Sequence, residues 1–476
     1  MKTERNPSAA VLQEWQVLLE GAVCACHQQR VWQRLLVASL GLLSALGRRT
    51  LSQVIVTIGW GDADWTAWYR LLNRKRVDWE ELQQQVAAAV SRDLPAGAPF
   101  AVAVDATHLP RTSRRMPGVG WARQPRTPVW RPGIHRAQRW VGLNALLPLS
   151  ASGDSRAVPL RWVPACPPAA QPVQGYPPMT EWQAGLSLLY WLRTTLDRQG
   201  LAERVVLAVG DGAYANAQLW NGLPQRTILL ARCAKNRALF GLPDGAHHGR
   251  GRKPRYGARL PVPPDFLVPQ RAFQTVPIVV RGRTLNLRVR VIGPVLVKPA
   301  PDHPLFLLVV KGVDRGKGQL RRFREPSYLL VNAFPTADGQ GWTLPLSVAD
   351  LLSWAWQRWE VEVMHRELKS GFGLGQQQQW SDIGVVSAVH WVTWLYATVL
   401  LAGYRAWGYH PPPEPTLGRW WRPRRWSTAT LWQAIRQEVW QLAEFQPVWA
   451  RSPDKWHEMQ TWFAAPDNVL NGYRRI

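Results

Sequence analysis

Residues 358–373 read RWEVEVMHRELKSGFG and set three glutamates, Glu360, Glu362 and Glu367, among Arg358, Arg366 and Lys369. Acids are scarce elsewhere, because the 476-residue chain carries 58 Lys and Arg against 32 Asp and Glu. Two more carboxylates end apolar runs, Asp105 in AVDATHL and Asp211 in VVLAVGDGAYAN. Three carboxylates in one place repel each other unless cations hold them, so such a trio implies divalent metal. Oxygen-only ligands favour Mg²⁺ or Mn²⁺ over zinc. Two such ions can activate an attacking oxygen and stabilise a leaving one in phosphodiester chemistry.

A helix advancing about 100° per residue decides among the glutamates. Glu362 lies about 40° from Arg358 and about 20° from Lys369, while Glu360 and Glu367 are rotated from it by about 160° and 140°. Glu362 is thus the one expected to join Asp105 and Asp211, with Glu360 and Glu367 solvated or structural. That assignment needs one helix over PLSVADLLSWAWQRWEVEVMHRELKSG and two buried strands ending at the aspartates.

The rest of the chain supplies such elements. Residues 1–95 read as a helical domain, with two short helices followed by Arg74-Lys75-Arg76 that would suit DNA reading. From 96 to 235 strands and helices alternate in the order three strands, helix, strand, helix, strand, a mixed α/β pattern. Residues 236–326 form a β-rich insertion, in which RTLNLRVRVIG alternates apolar residues with Arg288 and Arg290. The α/β unit resumes over 327–410, and 411–476 read as a Pro/Trp/Arg linker with a short helical tail.

A net charge of +26 and a pI near 10.9 call for a polyanionic partner, nucleic acid or an anionic membrane surface. From Arg111 to Trp140 there are eight arginines and no acid, interleaved with Trp121, Trp130 and Trp140. Prolines and glycines punctuate this stretch, which reads as a loop offering phosphate and base contacts through Arg114, Arg115 and Arg136. A second acid-free basic loop carries Arg252, Lys253 and Arg255. Val385 to Tyr404 holds no charge over 20 residues, but interruptions such as His390 and Thr393 favour a buried helix over a membrane span. Four scattered cysteines fit a reducing compartment, and the polar N-terminus lacks the apolar stretch of an export signal, so a cytoplasmic location is expected.

AVDATHL, VVLAVGDGAYAN and QRWEVEVMHRELKSGFGL together resemble the DDE transposases of bacterial insertion sequences. More narrowly they resemble the group with a β-strand insertion between the second Asp and the Glu, whose helix carries Tyr-x2-Arg-x3-Glu-x6-Lys. Arg358, Glu362 and Lys369 match the last three letters, while Ala355 stands in place of the Tyr. The resemblance spans roughly residues 100–410. It implies an RNase H-like core interrupted by the insertion, with Asp105, Asp211 and Glu362 holding two Mg²⁺ ions (Mn²⁺ as substitute). It also implies cleavage at the element's terminal inverted repeats, joining of the 3′-OH to target DNA, and a homodimer assembled on double-stranded DNA. Arg358 and Lys369 would grip end phosphates with Arg366 beside them, and Trp359 would assist base extrusion. The rival reading is a domesticated, non-catalytic DNA-binding protein, which would have no need of the carboxylate trio.

Overall fold

The computed structural model describes residues 10–441, apart from 63, 125–126, 129, 149–153, 244–252, 313, 316–321, 324 and 409–424. It divides into two compact units, one formed by the segments up to Leu82 and from Glu367 onward, the other by Gln83–Arg366.

The first unit is helical. It contains α1 (Val11–Leu19), α2 (Gln29–Ser44), α3 (Leu51–Thr57), α4 (Thr66–Asn73), the start of α5 (Trp79–Asp93), and two later helices described below. The charge-free stretch becomes the middle of one of these, a helix over Asp382–Trp407 whose most apolar stretch is wholly buried. Its polar side chains are tied down: Thr398 Oγ1 accepts from Trp15 Nε1 at 3.0 Å, and Trp391 Nε1 donates to Ser39 Oγ at 2.9 Å. Satisfied polar groups of this kind make a buried helix tolerable at positions where a lipid-facing one would be purely apolar. The last described helix, Thr428–Gln441, sends Glu438 to the open end of α1, where its carboxylate accepts from the Val11 and Leu12 amides at 3.0 and 2.6 Å. That satisfies two of the orphan donors of a helix N-terminus.

The second unit is built on one mixed sheet. Its strands are β1 (Phe100–Pro110), β2 (Val119–Arg123), β3 (Ile134–Pro148), β4 (Ser155–Pro164), β5 (Val206–Gly210) and β6 (Thr227–Arg232). The sheet continues with β7 (Leu239–Phe240), β8 (Arg259–Leu260), β9 (Gln274–Val280), β10 (Arg283–Val297) and β11 (Ala300–Val310). Short β12 (Asp314–Arg315) pairs with β13 (Arg322–Phe323) outside the sheet, β14 (Ser327–Asn332) rejoins it, and β15 (Phe334–Pro335) pairs with β16 (Trp342–Thr343). The sheet runs β2-β3-β1-β5-β6-β14-β11-β10-β7-β8, with β4 also on β3 and β9 also on β10. β1, β5 and β6 are parallel to one another, and the other pairings are antiparallel. Their buried runs, such as FAVAV and VLAVG, are the continuous apolar strands that a parallel centre covered on both faces requires. Helix α6 (Glu181–Arg198) crosses over from β4 to β5, and the short α7 (Ala217–Asn221) links β5 to β6.

Two readings need correction. The arginine-rich segment 111–140 is not simply a loop. Its middle forms β2, and its end is the start of β3, paired so that Trp121 faces Arg136. Proline and glycine punctuate the connections around these strands, which is why punctuation alone misled. The expected single helix up to Gly371 is in three pieces: α8 (Val348–Gln357), α9 (Trp359–Arg366) and a π-helical turn over Glu367–Gly371. Helices α10 (Asp382–Trp407) and α11 (Thr428–Gln441) complete the chain order. The π turn breaks the 100° step beyond Arg366, so the wheel holds for Arg358 and Glu362 but does not extend to Lys369.

A close approach fixes α6 against the sheet. The Tyr214 ring fills the space in front of Gly210 on β5 and Gly185 on α6: a Cβ on Gly185 would stand 2.7 Å from Tyr214 Cε1 and 3.3 Å from Val104 Cγ1. Gly185→Ala should therefore overpack this contact and lower stability by about 1–3 kcal/mol, read as a reduced urea midpoint with unchanged slope.

Candidate active site

Asp105 lies within β1, and Asp211 follows the last residue of β5. The parallel register pairs Val104 with Gly210, so the next residue on each strand is an aspartate. Adjacent strands lie about 4.8 Å apart, which makes the two carboxylates neighbours. Asp211 is fixed as the cap of a short 3₁₀ turn, its Oδ1 accepting from the Ala213 amide at 2.8 Å. Asp105 Oδ1 accepts from the Ala106 amide at 2.9 Å.

Arg358, at the break between α8 and α9, joins the third acid to them. Its Nη1 lies 3.5 Å from Asp105 Oδ2 and its Nη2 2.9 Å from Glu362 Oε1. Asp105 and Glu362 thus share one guanidinium, and Asp211 stands beside Asp105 on the neighbouring strand. Among the described residues, no three His, Cys, Asp or Glu side chains stand close enough together to hold an ion. The donor chemistry nevertheless fits a hard divalent cation. Burial pushes the Asp105 carboxyl up to about 7, Arg358 pulls it down, and Asp211 and Glu181 push it further up. A bound cation would favour the ionised form of this carboxyl.

Glu181 is the residue that sequence reasoning missed. It opens α6 behind a Thr180–Gln183 capping box, with Gln183 Oε1 accepting from the Thr180 amide at 2.9 Å. Burial raises its carboxyl and Asp211 raises it further, while Arg139 and Tyr214 lower it. Tyr214 is 1% exposed, and its hydroxyl approaches Glu181 without reaching full hydrogen-bond geometry. Burial, then Glu181, Asp105 and Asp211, push its ionisation well above the ordinary value. Tyr214 therefore supports the site from beneath and does not reach outward to a ligand. Arg139 stands at its rim, 3.9 Å from Glu181, and donates to His108 Nε2 at 3.2 Å. A Glu in the first turn of a helix is commonplace, and only the crossover of α6 over β1 and β5 could have singled it out.

The other glutamates are structural. Glu360 is buried and paired with Arg281 at 2.5 Å, and Glu367 accepts from Tyr396 Oη at 2.6 Å. Trp359 is 54% exposed beside Arg358, and Arg366 is exposed at the end of α9. Lys369 lies in the π turn, in the other unit.

The basic candidates divide. Arg114 and Arg115 are exposed, and Arg136 stacks on the exposed Trp121 at 5.5 Å. Arg111, from the same segment, instead turns inward, donating to Gln138 Oε1 at 3.1 Å, and burial lowers it to about 10. Lys253 is exposed, Arg255 is exposed but pairs with Asp302 at 2.7 Å, and Arg252 lies outside the described residues.

The family model described as DDE superfamily endonuclease matches residues 23–284, more than half of the chain. The chain belongs to the DDE superfamily endonucleases. The match includes Asp105 and Asp211 and ends before α9, so the third acid rests on the Arg358 geometry alone. No curated protein matches the chain. Members of this endonuclease family generally use divalent metals and act on DNA.

A raised carboxyl has a signature in stability. Between about pH 4 and 7 the folded state binds more protons at Asp105 than the unfolded state, so stability falls as pH rises through that window. In metal-free buffer at pH 8, Asp105→Asn should be more stable than the parent by up to about 4 kcal/mol, and the two should converge near pH 4. Urea melts at both pH values check the difference and its sign.

Proposed function

We propose that this DDE endonuclease is the transposase of an insertion sequence. In this reading it binds the element's terminal inverted repeats, cleaves them by metal-dependent phosphodiester hydrolysis and joins the freed 3′-OH to target DNA. The observation that carries it is the adjacency of Asp105 and Asp211 across parallel strands, with Arg358 linking Asp105 to Glu362. The order β4-β3-β1-β5-β6, antiparallel up to β1 and parallel after it, supports an RNase H-like core. Strands β7 to β13 then correspond to the insertion, and β14 to the resumed core.

Asp105, Asp211 and Glu362 would hold two Mg²⁺ ions, with Mn²⁺ as a substitute. When bound, the ions would activate an attacking oxygen and stabilise the leaving one. The protein's own groups do the rest. Asp105 must give up its proton to serve, and the ions' charge favours that loss. Arg358, which neutralises Asp105 and Glu362 here, becomes available to a phosphate, for which a planar guanidinium is well shaped. Trp121 and Arg136 offer a stacking face, and Trp359 a second one beside Arg358. The helical segment up to residue 95 would read the repeats. A homodimer on double-stranded DNA and a cytoplasmic, nucleoid-associated location belong to the same reading.

The test is cleavage of a supercoiled plasmid carrying the reading frame with its native flanking DNA. Cutting should require Mg²⁺ or Mn²⁺, with Ca²⁺ supporting binding better than cleavage. Asp105→Asn, Asp211→Asn and Glu362→Gln should each abolish cutting with the fold intact by circular dichroism, whereas Glu367→Gln keeps at least a tenth. Persistent cutting by Glu362→Gln, or full activity in EDTA, would sink the assignment. Affinity for the flanks should also fall steeply with salt, log K losing about 0.9 per decade of salt for each phosphate neutralised. An isotherm that is flat between low and physiological salt contradicts the phosphate contacts of 111–140 and 250–259.

A further inference from the structure

β9 and β10 form a hairpin whose pairing closes at Val280 and Arg283, leaving Arg281 and Gly282 as a two-residue turn. Both turn residues are left-handed, φ 51° for Arg281 and 69° for Gly282. That is the backbone of a type I′ turn, where Asn-Gly is the favoured pair and a long side chain at the first position is strained. The strained residue is the one that reaches α9. Arg281 Nη2 lies 2.5 Å from Glu360 Oε1, and the Glu360 side chain is 5% exposed. Two residues further along α9 is Glu362. β9 also packs against α8, on the other side of the Arg358 break.

We propose that Arg281 is a positioning residue: the tip of the β9–β10 hairpin latches α9 through Glu360 and so fixes where Glu362 presents its carboxylate. The inference rests on the reading of Glu362 as the third ligand. A backbone strain kept at a turn is retained where the side chain has a task that the turn's preferred residue cannot perform. Here the task is to neutralise a glutamate buried in the catalytic helix, a charge that is costly to bury without a partner. The latch also explains how a helix broken at Arg358 and again at Glu367 keeps one orientation through its two turns. Nearly half of the Arg281 side chain is exposed, so the latch is set from outside the sheet.

The turn chemistry separates this role from a merely structural one. Arg281→Asn supplies the residue a type I′ turn prefers, which offsets part of the cost of taking this guanidinium from Glu360. The thermal midpoint should therefore fall only by a few degrees, and the variant should stay folded at the assay temperature. Cleavage of the flank-bearing plasmid at saturating protein should nonetheless slow about tenfold, and the Mg²⁺ concentration for half-maximal rate should rise several-fold. Arg281→Lys should recover to within about threefold of the parent. Arg281→Asn with Glu360→Gln should be no slower than Arg281→Asn alone, as expected for two residues acting through one contact. Amide hydrogen exchange of residues 360–366 should quicken in Arg281→Asn and stay unchanged in Arg283→Ala, which removes an equal charge next to the turn. Unchanged exchange in α9 overturns the latch whatever the cleavage rate. Parent-like cutting and Mg²⁺ requirement in Arg281→Asn overturn it as well. Cutting by Glu362→Gln would instead overturn the function reading, and the exchange experiment would still decide the latch.

Discussion

The parallel pairing of β1 with β5 is the constraint on which the rest of the second unit depends. Its register sets Asp105, within β1, beside Asp211, just past β5, where two ionised carboxylates disfavour each other and burial penalises the charge of Asp105. The chain meets this with two arginines drawn from distant places. Arg358 comes from the break between two helices and touches Asp105 and Glu362, and Arg139 comes from β3 and stands near Glu181. Burial outweighs Arg358 at Asp105, whose carboxyl stays raised.

The elements around the pair follow from the need to reach it. Helix α6 must lie close enough over β1 and β5 for Glu181 to join the field of the aspartates. Glycines at 185 and 210 provide the room, and the Tyr214 ring fills it. Arg358, between α8 and α9, reaches Asp105 while α8 packs on β9. The tight turn between β9 and β10 then supplies the charge that Glu360 needs. Residues of the site therefore come from positions 105, 139, 181, 211, 358 and 362, and assembly waits on long-range pairings that are slow to form.

The sequence made the aspartates legible because each closes an apolar run, although only Asp211 follows the end of its strand, while β1 continues past Asp105 to Pro110. Glu362 was legible because Arg358 precedes it by one helical turn, and that pair is formed at 2.9 Å. Glu181 was not legible, since an acid in the first turn of a helix ordinarily answers only the helix dipole. Strand β2 was lost because its five residues sit between prolines and glycines, although Trp121 and Arg123 alternate with small residues as an exposed edge should. The break at Arg358 carries no Pro or Gly, and the π turn carries its glycine only at the end, so periodicity ran through both. Arg281-Gly282 could have been flagged as a hairpin turn. Its link to Glu360 could not, because 79 residues separate the partners.

The scarcity of acids gives these few their meaning. In a chain with a net charge of +26, a surface carboxylate would find a cation nearly anywhere, and such exposed pairs contribute little. Lys235 with Glu325 and Arg255 with Asp302 are pairs of this kind, both partners largely exposed. Asp105 and Glu360 are different, because each is largely buried where it meets its guanidinium. Glu360 holds its arginine in a contact that a loosely solvated ligand would have to break from the hairpin side. Asp105 shares its arginine with Glu362 at the longer distance of 3.5 Å, so this guanidinium is the more easily drawn away by a phosphate. The two pairs thus differ along one short helix: one ties buried Glu360 of α9 to the hairpin at 2.5 Å, and the other is longer at Asp105 and shared between two carboxylates.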